Sequence, residues 1–262
     1  MKANVNGTEI HYELHGKEGA PWIVMSHSLA CSVRMWDEQI AAFKDRYRVL
    51  AFDTRGHGAS AAPAGAYTLE MLADDARGVM DLVGVKRCHW VGLSMGGMIG
   101  QTFALKYPGV FQSLTLADTT SSYPAAAAPV WADRIKTAQT QGMEPLVDST
   151  LARWFTEPYR KQAPKRLADI AAQIRNTPVN GYVGCCHAIP KINLTARLKE
   201  IECPILVIVG EQDMGTPPAM AQEIHDNAPG SKLVILPNAA HISNIEQAAG
   251  FNQALGELLS SS

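Results

Sequence analysis

"HWVGLSMGGM", His89 to Met98, decides how this chain is read. Ser94 has Gly92 two residues before it and Gly96 two residues after it, the spacing G-x-S-x-G. Cys88 to Val91 ahead of it are strand-like, and the residues from Met95 onward are helix-like. A serine at a sharp strand-to-helix bend is forced into a strained backbone conformation, and side chains two positions to either side would collide. The bend presents the hydroxyl at the positive end of the new helix. Ser94 is therefore the candidate nucleophile, in preference to a structural serine in a small-residue turn. Gly97 is not required by the pentapeptide and is expected to allow close packing of the helix on the sheet.

A serine nucleophile needs a base and an acid, and for this elbow the chain order is serine, acid, histidine. Of the eight histidines, only His187, His225 and His241 follow Ser94. His225 falls in a helical stretch and is expected at the surface. His187 falls in a helical region, whereas His241 stands in "PNAAHISN", a loop between the last strand and the last helix. His241 is the expected base. The acid belongs in a loop after another strand. Asp213, just past "ILVIVG", is favoured over Glu211 in the same loop and over Asp118 at the end of an earlier strand. Two backbone N–H groups should face the developing oxyanion: that of Met95, after the serine, and that of Leu29, in the loop after "WIVMSH". His27 is read as a loop-orienting or hydrogen-bonded histidine. His57 precedes Ser94 and is not expected to be the base.

The wider pattern alternates strands and helices. "KANV" and "TEIHYEL" flank Asn6-Gly7 as a hairpin. Six apolar runs follow, ending near His27, Asp53, Gly92, Asp118, Gly210 and Pro237; runs of this kind fit strands covered on both faces of a parallel sheet. Between them, helical spacing runs from Leu69 to a stop at Gly84, from Met95 to Tyr107, and from Pro217-Pro218 through "AMAQEIHDNA". Ser243 with Glu246 has capping-box spacing and is expected to open the last helix. Residues 122–193 break the alternation with helix-like stretches and no buried strand. They are expected to form a helical cap over a core made of residues 1–121 and 194–262. "DTRGHGAS", Asp53 to Ser60, is expected to be a loop fixed by internal hydrogen bonds.

Totals exclude several classes. With 262 residues, 47% hydrophobic and 18% charged, the chain can bury a sizeable core and is not disordered. A formal charge of −2 and the lack of a basic run argue against nucleic acid as a partner. The N-terminus lacks an apolar signal region and no stretch is long enough for a bilayer, so no membrane association and a soluble cytoplasmic protein are expected. Five cysteines without CxxC spacing argue for free thiols and against a disulfide framework or a zinc site. The chemistry inferred above requires no metal or organic cofactor.

"MSHSL" with "MWDEQI", "FDTRGHGAS", "AYTLEMLADD", "GLSMGGMIGQ", "LADTT", "ARWFTEPY", "GEQDMGTPP" and "AAHISNIEQ" together resemble the α/β-hydrolases over the whole chain. More narrowly they are similar to the 3-oxoadipate enol-lactonases and related esterases. The resemblance implies the α/β-hydrolase fold, with a mostly parallel central sheet covered by helices. It implies a serine hydrolase acting through an acyl-enzyme on a small-molecule carboxylic ester or lactone. A broad carboxylesterase, a cofactor-free perhydrolase or haloperoxidase, and a ligand receptor on a hydrolase scaffold are the alternatives. Two places depart from the enol-lactonases. Their Asn-Ser-Leu-Gly-Thr-like loop is His27-Ser28-Leu29-Ala30-Cys31 here, and "GCCHAI" puts Cys185 and His187 where they tend to have Asn and an acid. Both changes are expected to touch the pocket. Trp131, Trp154 and Met143 are expected to wall it, with Arg134 meeting a substrate carboxylate.

Overall fold

The computed structural model describes residues 1–261. Asn6 and Gly7 both take positive φ, 47° and 71°, as a tight turn requires, and join β1 (Lys2–Val5) to β2 (Thr8–His15) as an antiparallel hairpin. The strands β3 (Trp22–Ser26), β4 (Arg48–Phe52), β5 (Cys88–Leu93), β6 (Phe111–Ala117), β7 (Ile205–Gly210) and β8 (Lys232–Leu236) complete one eight-stranded sheet in the order β1-β2-β4-β3-β5-β6-β7-β8. β2 pairs antiparallel with β4, and every pairing from β4 to β8 is parallel.

The register explains where a site can form. Ser26 pairs with Gly92, Leu93 with Ala117, Ala117 with Ile208, and Gly210 with Leu236. The loops after β3, β5, β6, β7 and β8 therefore leave the sheet along one edge, where open α/β sheets place their ligands. β5 is completely buried, and so is β7, as expected for strands covered by helices on both faces. β8 differs from expectation. Lys232 is exposed, Leu233 and Val234 are half-buried and Ile235 is 49% exposed, because β8 is the edge strand and lacks a neighbour to complete its cover. Trp90 on β5 stacks with Phe103 and Phe111, at ring-centroid distances of 5.6 and 5.2 Å. This cluster anchors the helix Met95–Lys106 directly beneath the bend at Ser94.

Helices, not strands, fill the chain between β6 and β7, from Ala125 to Glu200. The chain flanking residues 123–192 is joined to itself: Leu194 N–H donates to the Ser121 carbonyl at 2.8 Å, and Ser122 bridges Asn193. The last helix also departs from expectation. A single turn, Ser243–Glu246, is followed by a separate helix, Ala248–Ser261. No capping box forms, because both side chains are engaged elsewhere: Ser243 Oγ with Asp118, and the Glu246 carboxylate with Thr156 and the Ala240 amide. Among the described residues no helix is long and apolar enough to cross a membrane, and all five cysteines are free.

The loop from Asp53 to Ser60 is held by its first residue. The buried Asp53 carboxylate accepts from Val33 N–H at 2.8 Å, from Ala59 N–H at 2.9 Å and from His11 Nδ1 at 2.8 Å. Ser60 Oγ donates back to the Asp53 carbonyl at 2.6 Å. Removing the carboxylate leaves the buried Val33 amide without a partner, at a cost of about 1–3 kcal/mol, and also frees the Ala59 amide and the His11 ring. Asp53→Ala is expected to lower unfolding stability by about 2–4 kcal/mol in urea titration.

Candidate active site

Ser94 stands at φ 55° and ψ −114°, a region that costs a non-glycine residue about 1–3 kcal/mol. Its surroundings over-determine it. Ser94 N–H continues the sheet ladder to the Ala117 carbonyl at 2.8 Å. Its own carbonyl accepts from Gly97 N–H, Met98 N–H and Thr119 Oγ1 at 3.0, 3.1 and 2.7 Å. A Cβ on Gly92 would lie 2.2 Å from the Gly96 carbonyl oxygen, and one on Gly96 would lie 1.9 Å from that of Ser26. Both glycines thus make room for the bend. A Cβ on Gly97 would lie 2.8 Å from the Thr119 side chain, so the close packing there is against the loop after β6.

The structure brings Ser94, His241 and Asp213 into one line. His241 Nδ1 lies 2.8 Å from Asp213 Oδ2, and Nε2 lies 3.0 Å from Ser94 Oγ. A carboxylate only accepts, so Nδ1 carries the proton and Nε2 presents its lone pair to the serine hydroxyl. Asp213 is held in turn by Gly215 N–H at 2.7 Å, Thr216 N–H at 3.0 Å and Thr216 Oγ1 at 2.9 Å. Such a line can remove the serine proton during attack on a carbonyl. Burial pulls the His241 pKa down, but the charge and hydrogen bond of Asp213 outweigh it and hold the imidazole above the ordinary 6.5.

The rival carboxylates sit elsewhere. Glu211 is exposed and accepts from Asn238 N–H at 3.3 Å. Asp118 is fully buried and its hydrogen bonds go to other groups: Gly210 N–H donates to it at 2.8 Å and Ser243 Oγ hydrogen-bonds it at 2.5 Å. Burial first, then the Asp213 charge, push its carboxyl up to about 8. His187 is on a helix outside the cavity, and His225 is half-buried against Ser231 rather than at the open surface. His57 is buried with its pKa pushed down to about 3 by burial and by His27.

Ser94 and His241 open into a cavity of about 320 Å³. Trp131, Arg134 and Trp154 line it, as do Ser28, Leu29 and Ala30. Trp154 also stacks on His241, with ring centroids 6.4 Å apart, and its carbonyl accepts from Ile242 N–H at 3.1 Å. The N–H groups of Leu29 and Met95 donate to no group among the described residues, which leaves both free for a ligand. Met143 is not in the lining; it is 4% exposed and packs in the core. Cys185 and His187 do not reach the cavity either. Cys185 is completely buried, interacts electrostatically with Arg55 and Tyr67, and burial drives its thiol well above the usual range.

Arg153, Tyr123, Tyr182 and Met214, which no sequence motif singles out as pocket residues, also line the cavity. Arg153 and Arg134 are both half-buried, and neither has a carboxylate partner among the described residues. Arg134 lies over the Trp131 ring at 4.6 Å, and Arg153 reaches only Thr150 Oγ1 at 3.4 Å. Burial and the Arg134 charge both push the Arg153 pKa down, the mark of like charges without a counter-ion. "ARWFTEPY" contains Arg153, but nothing in its spacing indicates which way the side chain turns.

Residues 21–248 match the family model for the alpha/beta hydrolase fold. The chain belongs to the α/β-hydrolase family. Within it, the chain is 34% identical over 246 residues to 3-oxoadipate enol-lactonase 2 of Acinetobacter baylyi, covering 94% of this chain and 91% of that protein. The crystal structure of the enol-lactonase from Burkholderia xenovorans LB400 superposes with a TM-score of 0.96 at 39% identity, covering 99% of this chain and 100% of that one. A thermophilic esterase from Thermogutta terrifontis, solved with malate bound, superposes with a TM-score of 0.93 at 27% identity over 100% of this chain and 98% of its own. These similarities make the protein an α/β-hydrolase whose relatives hydrolyse small molecules.

The geometry makes a direct electrostatic prediction. The His241 imidazole should titrate above 6.5 in NMR, and Asp213→Asn should move its midpoint downward, since the cause of the elevation is removed. An unchanged midpoint would show that Asp213 does not set it.

Proposed function

We propose that the protein is a serine hydrolase that opens a carboxylic ester or lactone bearing a carboxylate, with 3-oxoadipate enol-lactone as the leading substrate. One observation carries the reading. The hydrogen-bonded line Ser94–His241–Asp213 ends in a cavity that also holds two guanidinium groups without counter-ions. The names of the enol-lactonase relatives support the lactone.

Ser94 Oγ attacks the carbonyl carbon while His241 Nε2 takes its proton. The oxyanion is received by the N–H groups of Leu29 and Met95, each worth about 3 kcal/mol in comparable sites. The tetrahedral intermediate collapses, the ring C–O bond breaks, and His241 returns the proton to the leaving oxygen. From an enol-lactone this oxygen leaves as an enol, which tautomerises to a ketone still tethered to the acyl group. His241 then takes a proton from water as it attacks the acyl carbon; the bond to Ser94 Oγ breaks, His241 returns the proton to that oxygen, and the carboxylate product leaves. Residues 122–193 act as the cap, placing Trp131, Arg134 and Trp154 over Ser94. Arg134, with Arg153 beside it, neutralises the substrate carboxylate. No metal or organic cofactor takes part in these steps.

A steady-state panel tests the reading: an enol-lactone, neutral aryl esters and peracid formation, with Ser94→Ala as control. The expected result is preferred turnover of the enol-lactone and a loss in kcat of about 10⁵–10⁶ in Ser94→Ala. Preference for aryl esters or for peracid formation would replace the lactonase reading with a broad esterase or a perhydrolase. Single turnover on every substrate would point to a receptor. Because neutral His241 is the base, kcat/KM should rise with pH through a midpoint above 6.5. Arg134→Ala should lower kcat/KM about 10- to 100-fold for carboxylate-bearing substrates and leave neutral aryl esters within about threefold, the range expected for one charge-assisted hydrogen bond.

A further inference from the structure

The cavity shows how two N–H groups are left free, but a free amide must also be aimed. The Met95 amide is aimed by the bend itself, since it opens a helix whose first N–H groups have no internal partner. Leu29 has no such support. It lies in a tight turn closed by Cys31 N–H to the Ser28 carbonyl at 3.2 Å, with Ala30 at φ 57°. An alanine in that region biases the turn toward other conformers. Something outside the turn must hold it.

That anchor is the neighbouring imidazole. His27 is completely buried, and both of its ring nitrogens are engaged. Thr54 N–H donates to Nε2 at 2.9 Å. A backbone amide only donates, so Nε2 is the lone-pair nitrogen and the proton of the neutral ring is on Nδ1. Nδ1–H then donates to the Ser28 carbonyl at 2.7 Å. The Ser28–Leu29 peptide is trans, so its N–H points opposite to that carbonyl. We propose that His27 is a positioning residue: the Thr54 amide fixes its tautomer, Nδ1–H fixes the Ser28 carbonyl, and the Leu29 N–H is thereby aimed into the cavity to receive the oxyanion. Thr54 belongs to the loop held by Asp53, so the donor is tied through His27 to the rigid end of β4. The inference rests on the serine-hydrolase reading and adds to it a residue that touches no substrate.

Three substitutions separate this role from simple core packing. In His27→Asn the side-chain amide takes the place of ring Nδ1 and still donates to Ser28. In His27→Gln it takes the place of Nε2 and serves only Thr54. His27→Ala removes both. kcat for an ester is expected to stay within about fivefold of wild type in His27→Asn and to fall about 10²-fold in His27→Gln and His27→Ala, the order found for loss of one oxyanion donor, with KM little changed. A matched ester and thionoester give a second readout, because sulfur accepts hydrogen bonds weakly. The rate ratio of ester to thionoester should shrink in His27→Gln and persist in His27→Asn. Equal losses in Asn and Gln variants with an unchanged ratio would overturn the proposal. If a variant does not fold, nitrogen-resolved NMR of the wild-type ring decides: a proton on Nδ1 is required, and one on Nε2 overturns it. Ser94→Ala separates the two levels. If it stays active, the serine-hydrolase reading fails; if it is inactive and His27→Gln is as fast as wild type, only the role of His27 fails.

Discussion

Ser94 is held at φ 55° and ψ −114° against a cost of about 1–3 kcal/mol, and much of the molecule is arranged around that constraint. β5 lies between β3 and β6, so the bend at its end is enclosed from both sides. The Ser26 carbonyl closes on Gly96, and Thr119 hydrogen-bonds the Ser94 carbonyl while its side chain closes on Gly97. Trp90 stacks in the core and donates its indole N–H to the Gly96 carbonyl at 3.2 Å, so core packing bears directly on the bend. The hydroxyl faces His241, and the next amide opens a helix without a partner. The exposed hydroxyl and the free amide beside it are consequences of one backbone conformation.

His241 and Asp213 arrive from distant parts of the chain, and buried polar ties bring them into register. Asp118 joins the end of β7, through Gly210 N–H, to Ser243 beyond His241. One side chain thus links the loops that carry Asp213 and His241. From the helical side, Trp154 holds Ile242, and Thr156 donates its N–H to Glu246 at 3.0 Å, while Glu246 accepts from Ala240 N–H at 2.8 Å. Two carboxyl groups near one imidazole would compete if both were charged. Burial pushes Asp118 up to about 8, whereas Asp213 sits among three donors from residues 215 and 216 and faces the imidazole. Asp213 is the carboxylate that meets the imidazole, and Asp118 is the tie between the two loops.

Features written in neighbouring residues were legible in the sequence. The Asn6-Gly7 hairpin, the glycines around Ser94 and the strand ends that carry Asp213 and His241 are local patterns, and the structure follows them. Features set by distant contacts were not legible. Ser243 and Glu246 have capping-box spacing, but Asp118 and Thr156, more than eighty residues away, take their side chains. β8 is as apolar as its neighbours, and only strand order makes it an edge. Met143, Cys185 and His187 lie on the right segment with the wrong facing, and Arg153 shows the reverse. Which face of a helix between β6 and β7 meets the cavity depends on how that helix packs, and its sequence alone does not say.

The central claim is that the bend turns Ser94 into a nucleophile that carries the acyl group. Rapid acid quench during turnover of a slow aryl ester, followed by peptide mass spectrometry, measures this directly. An added acyl mass is expected on the peptide containing Ser94 and on no other, accumulating within the first turnover. Hydrolysis at full rate with no adduct, or with the adduct on a different residue, would contradict it.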